Sequence, residues 1–350
     1  MQLFDAAEPT FARHETFHPR YGWFRKAYAV AAQDPNVFAK DDAPVEIGVG
    51  KNMVRAIRFW GLAAKLVIED PDSSRRKPSV VPTRCGHALF GDSGWDPYME
   101  DPGTLWLLHW LLLAPPSRLP VWWIAFHEFH PVEFTEADLE SAVVAHLDGV
   151  SRWSMPHPSS IKKDISALLR TYAPAESGGR AGLDDLLDCP LRELNLIGRS
   201  AASGRHRFVL GPKPTLPSAV ATYAVLDFVA RSNIVGSTIT LSRLANEPGG
   251  PGRAFKLGEA DLLAVLEPTI ERTGDLSLVS PTGATQIGWA SDPKYLATHV
   301  LNEYYGSFGD DFCAGRDGDL PIDDELRDEI GGERTVSTRS RRDVAAAGVR

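Results

Sequence analysis

An H-E-x-x-H string lies near the start of the chain, where His14, Glu15 and His18 fall within RHETFHPRYGW at residues 13–23. In zinc proteases this motif lies on one continuous helix, which brings both imidazoles to one metal and the glutamate to its bound water. Here Pro19 follows His18 directly, and its ring disfavours helical conformation for the residue before it. We therefore predict a polar turn with hydrogen-bonded histidines, and not a zinc-binding helix.

Two further groups of polar residues could serve a metal. In FHEFHPVEF, residues 126–134, the alternation of residue types predicts an extended segment, which turns His127 and His130 to opposite sides and disfavours a shared metal. The second group has enough carboxylates for magnesium but no fixed spacing, and we predict a loop before a helix over 104–113, capped by Asp101 or Thr104. Its acidic residues are Asp92, Asp96, Glu100 and Asp101.

A basic helix followed by a hairpin is the clearest structural pattern. Residues 48–70, GVGKNMVRAIRFWGLAAKLVIED, place apolar residues on one helical face and four cations on another, and GVGK lacks the spacing of a phosphate-binding loop. The polar PDSSRRKP then separates two strand-like runs, which is the order of a winged helix-turn-helix. The cations of the stripe are Lys51, Arg55, Arg58 and Lys65.

Such a unit would bind DNA through the helix and the hairpin loop, with base edges read in the major groove and phosphates contacted by the loop. The alternatives are a solvated basic face and a winged helix that contacts another protein. The candidate DNA-binding residues are Lys51, Asn52, Arg55, Arg58, Arg75, Arg76 and Lys77.

The whole pattern predicts a mainly helical α+β protein with two winged-helix-like units. In the second unit the helix over 259–271 is acidic, which favours packing or partner binding over DNA contact. The predicted divisions are an N-terminal winged-helix-like domain over 1–130, a helical hairpin over 131–175, a linker over 176–183, a C-terminal winged-helix-like domain over 184–309, and a flexible tail over 310–350.

The net charge of −9 is unevenly distributed along the chain. Residues 310–333 carry about −8 and residues 334–350 about +4, so the preceding chain carries about −5. Because nearby charges set the field at a surface, this total does not exclude a local basic groove. The tail, acidic and then basic, is predicted to be mobile.

Cysteine usage and hydropathy point to a soluble cytoplasmic protein. Cys85, Cys189 and Cys313 lie far apart without C-x-x-C spacing, which predicts neither disulfides nor a zinc ribbon. The most apolar run, LWLLHWLLLA at 105–114, stops before Pro115 at about half the length of a membrane span. We expect a buried helix there and no membrane partner.

Four strings of uncommon residues carry a family resemblance. They are FARHETFHPRYGW, DPNVF, DAPVEIGVGKNMVRAIRFWGLA and PTRCGHALFG, and they resemble the SspB-like proteins, a bacterial family of unknown-function domains encoded beside DNA phosphorothioation genes. The resemblance extends from about residue 11 to residue 305. It implies a defence system that replaces a non-bridging phosphate oxygen with sulfur, with desulfurase, ATPase and reductase-like companion proteins. It also implies nicking of one strand of double-stranded DNA, and a homodimer is a further candidate assembly.

Strand cleavage requires a nucleophile, positive charge near the phosphate and a proton for the leaving group, commonly with a divalent metal such as magnesium. The segment at 13–23 supplies Arg20 as a phosphate clamp, and it supplies His14 and His18 as acid, base or ligand. Glu15 is a candidate base or ligand and Tyr21 a candidate nucleophile. The alternative is that Arg20 and Glu15 pair to lock the segment in place, in a non-catalytic DNA-binding or assembly subunit.

Overall fold

Helices form most of the secondary structure in the computed structural model, which describes residues 1–174, 189–232, 234–281, 283–306 and 313–322. The α-helices of these residues are α1 Leu3–Ala6, α2 Trp23–Gln33, α3 Ala43–Ile47, α4 Lys51–Ala63, α5 Arg84–Phe90, α6 Pro102–Leu113, α7 Pro120–His127, α8 Glu136–Asp148, α9 Pro158–Tyr172, α10 Ser218–Arg231, α11 Leu241–Asn246, α12 Pro251–Phe255, α13 Glu259–Arg272, α14 Pro293–Tyr305 and α15 Gly315–Gly318. Short 3₁₀ helices lie at Val37–Ala39 and Pro190–Leu194.

The strands form three small antiparallel sheets in the described part of the chain. Strands β1 and β2 pair, β3 and β4 pair, and the third sheet has the order β5-β7-β6. The predicted mainly helical α+β class is therefore confirmed. The strands are β1 Val67–Glu69, β2 Val80–Pro82, β3 Ile197–Arg199, β4 His206–Phe208, β5 Thr238–Thr240, β6 Leu276–Val279 and β7 Gln286–Trp289.

The N-terminal unit follows the predicted order of helices and hairpin. Helices α2, α3 and α4 precede the antiparallel pair β1-β2, and α4 packs against α2, with Val54, Ile57 and Gly61 on the buried face of α4. A Cβ at Gly61 would lie 2.6 Å from the Ala27 Cβ, so glycine permits this close approach. The order is the one expected of a winged helix, and its assignment as such stays a prediction.

The centre of the molecule is built from α6 and α7, the two most apolar helices. Every residue of α7 and every residue of α6 after Pro102 is buried. Such helices have no polar face, and they form the core that the other elements cover. Asp101 caps α6 by accepting a hydrogen bond from the Gly103 backbone, so of the two predicted caps, Asp101 and Thr104, it is Asp101 that caps the helix.

The predicted helical hairpin consists of α8 and α9. Thr135 caps α8 in a capping box with Asp138, which confirms the predicted start of that helix. Helix α9 starts earlier than its serines suggested, because His157 accepts the capping hydrogen bond from Ser159 and Pro158 occupies the first turn. Ser159 and Ser160, the predicted caps, lie inside the helix.

The C-terminal unit contains α10, β5, α11 to α13, and the hairpin β6-β7. The predicted helix over 259–271 and the hairpin after it are present as α13, β6 and β7. Strand β5 pairs with β7 and completes a three-stranded sheet. As in the first unit, the winged-helix assignment stays a prediction.

A buried ion pair joins the two halves of the chain. Arg231 contacts Asp227 at 2.7 Å and Asp319 at 2.6 Å, while the Trp110 indole donates to Asp227 at 2.7 Å. Residues 313–322, which were predicted to belong to the tail, instead pack here, and the Arg84 backbone N–H donates to the Leu320 carbonyl at 2.9 Å. The tail was predicted from the charge of residues 310–333, and a count of charges does not reveal that Cys313 and Ala314 are buried against the fold.

One hydrophobic cluster includes residues from Leu3 to Ala314 and so draws on each of the predicted domains. The cluster does not mark boundaries between them, and the predicted division into domains stays a prediction. The predicted linker at 176–183 and most of the predicted tail lie outside the described residues. No helix of the described residues is long and apolar enough to cross a membrane. The three cysteines are buried and form no disulfide.

Candidate functional site

The histidine segment is a loop between α1 and α2, and not a helix. Residues 13–16 form a turn, in which the Phe17 N–H donates to the His14 carbonyl at 2.8 Å. Glu15 and Thr16 have left-handed backbones, with φ of 51° and 69°. The two histidines therefore do not lie one helical turn apart, which confirms that the H-E-x-x-H string is not a zinc-protease helix.

His14 anchors this loop to α9. Its Nε2 lies 2.7 Å from the Oδ1 atom of Asp164, which also accepts a hydrogen bond from the Ala12 backbone at 2.9 Å. The imidazole is 1% exposed and packs against the rings of Trp60 and Trp122. Burial raises the pKa of Asp164, and the hydrogen bond from His14 opposes that effect. The contact holds the N-terminal loop against a helix that lies far away in sequence.

Asp164 was missing from the sequence prediction, although the sequence contains a signal for it. The residue lies between Ile161, Ile165 and Leu168 on the buried face of α9. A carboxylate on an apolar helical face needs a partner, because an unpaired buried charge is costly. The pattern therefore indicates a polar contact, although it cannot identify His14 as the partner.

His18 lies next to three arginines, two of which come from distant parts of the chain. It is 7% exposed, and neither ring nitrogen has a hydrogen-bond partner among the described residues. Burial lowers the pKa of His18 to about 4, and nearby positive charges add to the effect. In decreasing order, these charges belong to Arg170, Arg192 and Arg20. At neutral pH the imidazole is uncharged and available as a proton acceptor.

The arginines around His18 are held by the loop and by each other. The Arg170 guanidinium donates to the Thr16 carbonyl at 2.5 Å, and Arg192 donates to the Arg170 carbonyl at 2.8 Å. Arg20 lies over the rings of Phe17 and Trp23, at 5.8 and 5.7 Å from their centroids. We call His18, Arg20, Arg170 and Arg192 the His18 cluster. Positive charge around a neutral base is an arrangement that can serve a phosphodiester.

The other two predicted catalytic residues contact other elements. The Glu15 carboxylate lies 3.4 Å from the Arg55 guanidinium of α4. The exposed Tyr21 donates from its hydroxyl to the Met99 carbonyl at 3.1 Å. The structure thus places His18 near both His14 and Arg20, with Glu15 and Tyr21 directed to different neighbours. The catalytic roles of all five stay predictions.

The basic stripe on α4 is shorter than predicted. Lys51, Asn52 and Arg55 are exposed, whereas Arg58 is partly covered and lies 2.5 Å from the Glu69 carboxylate of β1. Lys65 is buried, and its ammonium donates to the Leu111 carbonyl at 2.7 Å. The prediction for Lys65 was wrong because α4 ends at Ala63 and Lys65 adopts a left-handed backbone with φ of 58°.

The loop between β1 and β2 adds a second group of exposed cations. Arg75, Arg76 and Lys77 all lie in this loop and all are exposed. Together with Lys51, Asn52 and Arg55 they form what we call the basic face. The face carries five positive charges on the one unit for which sequence had predicted DNA contact.

The carboxylates before α6 serve the local fold. Asp96 accepts hydrogen bonds from the Glu100 and Asp101 backbones and from the Thr104 hydroxyl. Asp101 caps α6 and also accepts from the Tyr304 hydroxyl at 2.8 Å. Among the described residues there is no group of three or more His, Cys, Asp or Glu side chains placed to hold a metal.

The second histidine group differs from the extended segment predicted for it. His127 is the last residue of α7 and is completely buried, while the His130 ring contacts the Arg253 guanidinium after the helix has ended. The prediction failed because the apolar run of α7 continues into the first histidine. The two imidazoles do not form a metal site among the described residues.

Comparisons with known proteins agree over most of the chain. The DUF4007 family, described as proteins of unknown function, matches residues 11–305. A crystal structure of SspB with bound magnesium superposes with a TM-score of 0.81 at 42% identity, and another crystal structure of SspB gives 0.80 at 43%. Each alignment covers 87% of this chain and 90% of the SspB chain. A search of curated proteins gave no match.

Proposed function

The chain belongs to the DUF4007 family of SspB-like proteins, and on that premise we propose that it binds double-stranded DNA and nicks one strand in phosphorothioation-linked bacterial defence. The observation that carries the proposal is the basic face, in which exposed cations of α4 and of the β1-β2 loop belong to one helix-and-hairpin unit. Its companions would be the desulfurase, ATPase and reductase-like proteins of the same system.

The basic face supports DNA binding on physical grounds. A helix of this kind can enter the major groove while cations of the loop contact phosphates on either side. The helix residues available for DNA contact are Lys51, Asn52 and Arg55, since Arg58 is engaged by Glu69 and Lys65 is buried. The two cations would contact phosphates at the groove edge, and Asn52 would contact a base edge. The overall acidity of the chain does not exclude this contact, because the local field depends on nearby charges, and the five cations of the face outnumber Glu15 and the loop carboxylates of Asp70 and Asp72.

The His18 cluster supports the proposed cleavage. In hydrolysis a water oxygen attacks phosphorus, the phosphate oxygens gain negative charge, and the bond to a sugar oxygen breaks. The guanidinium groups of the cluster would stabilise that charge. The neutral His18 would accept the proton of the attacking water and return it to the departing sugar oxygen, so that the strand break leaves a phosphate monoester and a hydroxyl. Because His18 is 7% exposed, we expect the loop over 11–22 to open before a phosphate can reach it.

We assign magnesium no role in the proposed cleavage, and its effect on nicking is a variable of the assay. One of the two SspB structures contains magnesium, whereas the described residues of this chain provide no group of three ligands for it. The carboxylate oxygens of Asp96 and Asp101 accept hydrogen bonds that support the start of α6. No step above depends on the metal.

A plasmid relaxation assay tests the function directly. Supercoiled DNA is incubated with the purified protein, with and without magnesium and the companion proteins, and open-circular product is measured over time. We expect His18→Gln and Arg20→Met each to slow nicking by about 100-fold, with DNA affinity within a fewfold of the wild type. Arg25→Met is the matched control, because Arg25 is an exposed arginine that covers the Tyr98 ring at 4.5 Å.

A non-catalytic DNA-binding or assembly subunit is the second candidate function. The burial of His14 and His18 favours it, because buried imidazoles commonly hold a fold together and do not reach a substrate. Wild-type protein that binds DNA but leaves plasmid supercoiled under every condition would establish this alternative. If His18→Gln nicks as fast as the wild type, cleavage takes place at another site.

A further inference from the structure

A cleft of about 850 Å³ lies far from the basic face in sequence, where the end of α7, strand β4 and helices α11 to α13 meet. This volume is in the range of small-molecule sites, which commonly enclose about 300 to 1,000 Å³. Its walls combine apolar and cationic side chains, of which the most informative are Val132, Arg207, Leu210, Arg253 and Lys256. Among the residues that line the cleft, the single acidic side chain is Asp261.

Lys256 is the most unusual residue of this cleft. It is 8% exposed, its ammonium donates to the Phe126 carbonyl at 2.6 Å, and the same nitrogen lies 3.9 Å from the Phe208 ring centroid. Its backbone is left-handed, with φ of 58°. No ion pair to a carboxylate of the described residues accompanies this buried charge.

A second buried lysine lies behind the first. Lys213 is 9% exposed, and its ammonium donates to the carbonyls of Val209 and Gly211 at 3.0 and 2.5 Å. Gly211 in turn donates from its backbone to the Lys256 carbonyl at 3.1 Å, which couples the two segments. Neither lysine forms an ion pair with a carboxylate of the described residues, and the charged form of each is costly, because carbonyls and rings replace only part of the lost hydration.

Two arginines extend this positive charge into the cleft. Arg253 is held in place, since it donates to the Asn246 and His127 carbonyls at 2.6 and 2.7 Å. Arg207 is exposed on β4. A fixed guanidinium beside a buried lysine is a preorganised site for an oxyanion, because both side chains are held in place before the ligand arrives.

The rim of the cleft is apolar, which limits the ligand further. Val132 is 85% exposed and Leu210 is 74% exposed, and both line the opening. A ligand with an anionic group at the floor and a flat apolar part at the rim would fill both kinds of wall. We propose that this cleft binds a nucleotide through a terminal phosphate monoester, with the phosphate at Lys256 and Arg253 and the base at the rim.

The monoester is favoured over a carboxylate by its charge. A terminal phosphate carries about −1.5 to −2 at neutral pH in one compact group, whereas each acidic side chain of a peptide carries one charge. An internal phosphodiester carries one charge as well, so the cleft distinguishes a strand end or a free nucleotide from continuous DNA. This inference does not depend on strand nicking by the same protein.

The test is a binding measurement with defined probes. Isothermal titration is carried out on the full chain with dAMP, with a single-stranded decathymidylate that bears a 5′-phosphate, and with the same oligonucleotide without it. If strand ends are the source, the phosphorylated oligonucleotide binds at least about tenfold more tightly than the unphosphorylated one. If free nucleotides are the source, dAMP binds and the two oligonucleotides do not differ.

Two variants separate a ligand contact from a structural role. Arg207→Ala should weaken phosphate binding by about threefold to tenfold without a change in the melting temperature, since the residue is exposed. Lys256→Met should weaken binding by more than about tenfold and leave the melting temperature unchanged or higher, because it removes a buried charge and retains volume. Arg205→Ala is the matched control, an exposed arginine of the same segment that does not line the cleft.

Proton uptake provides a readout that a structural lysine would not give. Burial, with the nearby charges of Arg253 and Lys213, holds the pKa of Lys256 well below its ordinary value, so an arriving phosphate raises it. Titration of dAMP over a series of pH values, in buffers of different ionisation enthalpy, should therefore show a pH range of proton uptake that is reduced in Lys256→Met. The charged and titratable groups coupled to Lys256 are Arg253, Lys213, His109, His127 and His130.

Three results would overturn the proposal. The first is that neither dAMP nor the 5′-phosphate increases binding over the unphosphorylated oligonucleotide. The second is that Arg205→Ala weakens binding as much as Arg207→Ala, which would indicate a diffuse charge effect. The third is that an acidic peptide of matched charge binds the cleft more tightly than dAMP, which would assign it to a protein partner.

Discussion

Removal of Lys51 and Arg55 together should reduce the salt dependence of DNA binding by a predictable amount. Both side chains are exposed, and Arg55 has only a 3.4 Å contact with the partly exposed Glu15. Each phosphate contact contributes about 0.9 to the slope of log K against log salt, so the loss of two contacts lowers it by about 1.8. Over an approximately fourfold change, from about 50 to 200 mM salt, the variant should lose about tenfold less affinity than the wild type.

The assay is fluorescence anisotropy of a labelled duplex, titrated at several salt concentrations, with thermal melts to establish that the variants are folded. Arg58→Ala is the internal control, because the 2.5 Å contact with Glu69 already neutralises that guanidinium. Its slope should change by less than about 0.5. An unchanged slope in the folded double variant, or an equal change in Arg58→Ala, would show that the basic face does not contact phosphates.

The contact between Glu15 and Arg55 predicts an effect of Glu15 on DNA binding, separate from its predicted role as a catalytic base. Its carboxylate competes with DNA phosphates for Arg55, so Glu15→Gln should strengthen DNA binding by a fewfold at low salt. If Glu15 is also a base, the same variant should bind more tightly and nick at least about 100-fold more slowly. Weaker binding in Glu15→Gln would contradict the competition.

Three further predictions concern stability. His14→Ala should cost about 3 kcal/mol in urea unfolding because it strands the buried Asp164, and the double variant His14→Phe with Asp164→Leu should recover most of that loss. Burial lowers the pKa of His109 from 6.5 to about 4, so the unfolded state binds more protons than the folded state in acid. The contribution of His109 to the free energy of unfolding is therefore complete above pH 6.5 and falls by about 3 kcal/mol at pH 4. A His109→Phe variant should show a flatter profile of melting temperature against pH. Asp319→Asn should cost about 2 kcal/mol by removing a charge from the buried Arg231, and calorimetry that shows no loss would mean that Asp227 alone is a sufficient partner.

Features set by local sequence were predictable. The capping box at Thr135 and Asp138 involves residues three positions apart, so sequence shows both partners. The hairpin β6-β7 follows from two apolar runs and a turn between them. The non-helical backbone at His18 follows from the conformational limit that Pro19 imposes on its neighbour.

Features set by tertiary packing were not predictable in the same way. Lys65 shares the helical periodicity of Lys51 and Arg55, and only the end of α4 at Ala63 removes it from the stripe. Arg170 and Arg192 reach His18 from distant elements, and no local pattern connects them. The sequence therefore located the histidine segment but neither the burial nor the two distant charges that lower the pKa of His18.

The packing of residues 313–322 has a consequence for the order in which the protein is made. Pro321 bridges to Thr83, and Leu320 accepts a hydrogen bond from Arg84, so a late segment completes the surroundings of an early hairpin and helix. Asp319 likewise reaches the buried Arg231 only after almost the whole fold has been synthesised. A ribosome-bound chain that has not yet released these residues therefore holds an incomplete core, in which the early hairpin and the buried Arg231 lack their late partners.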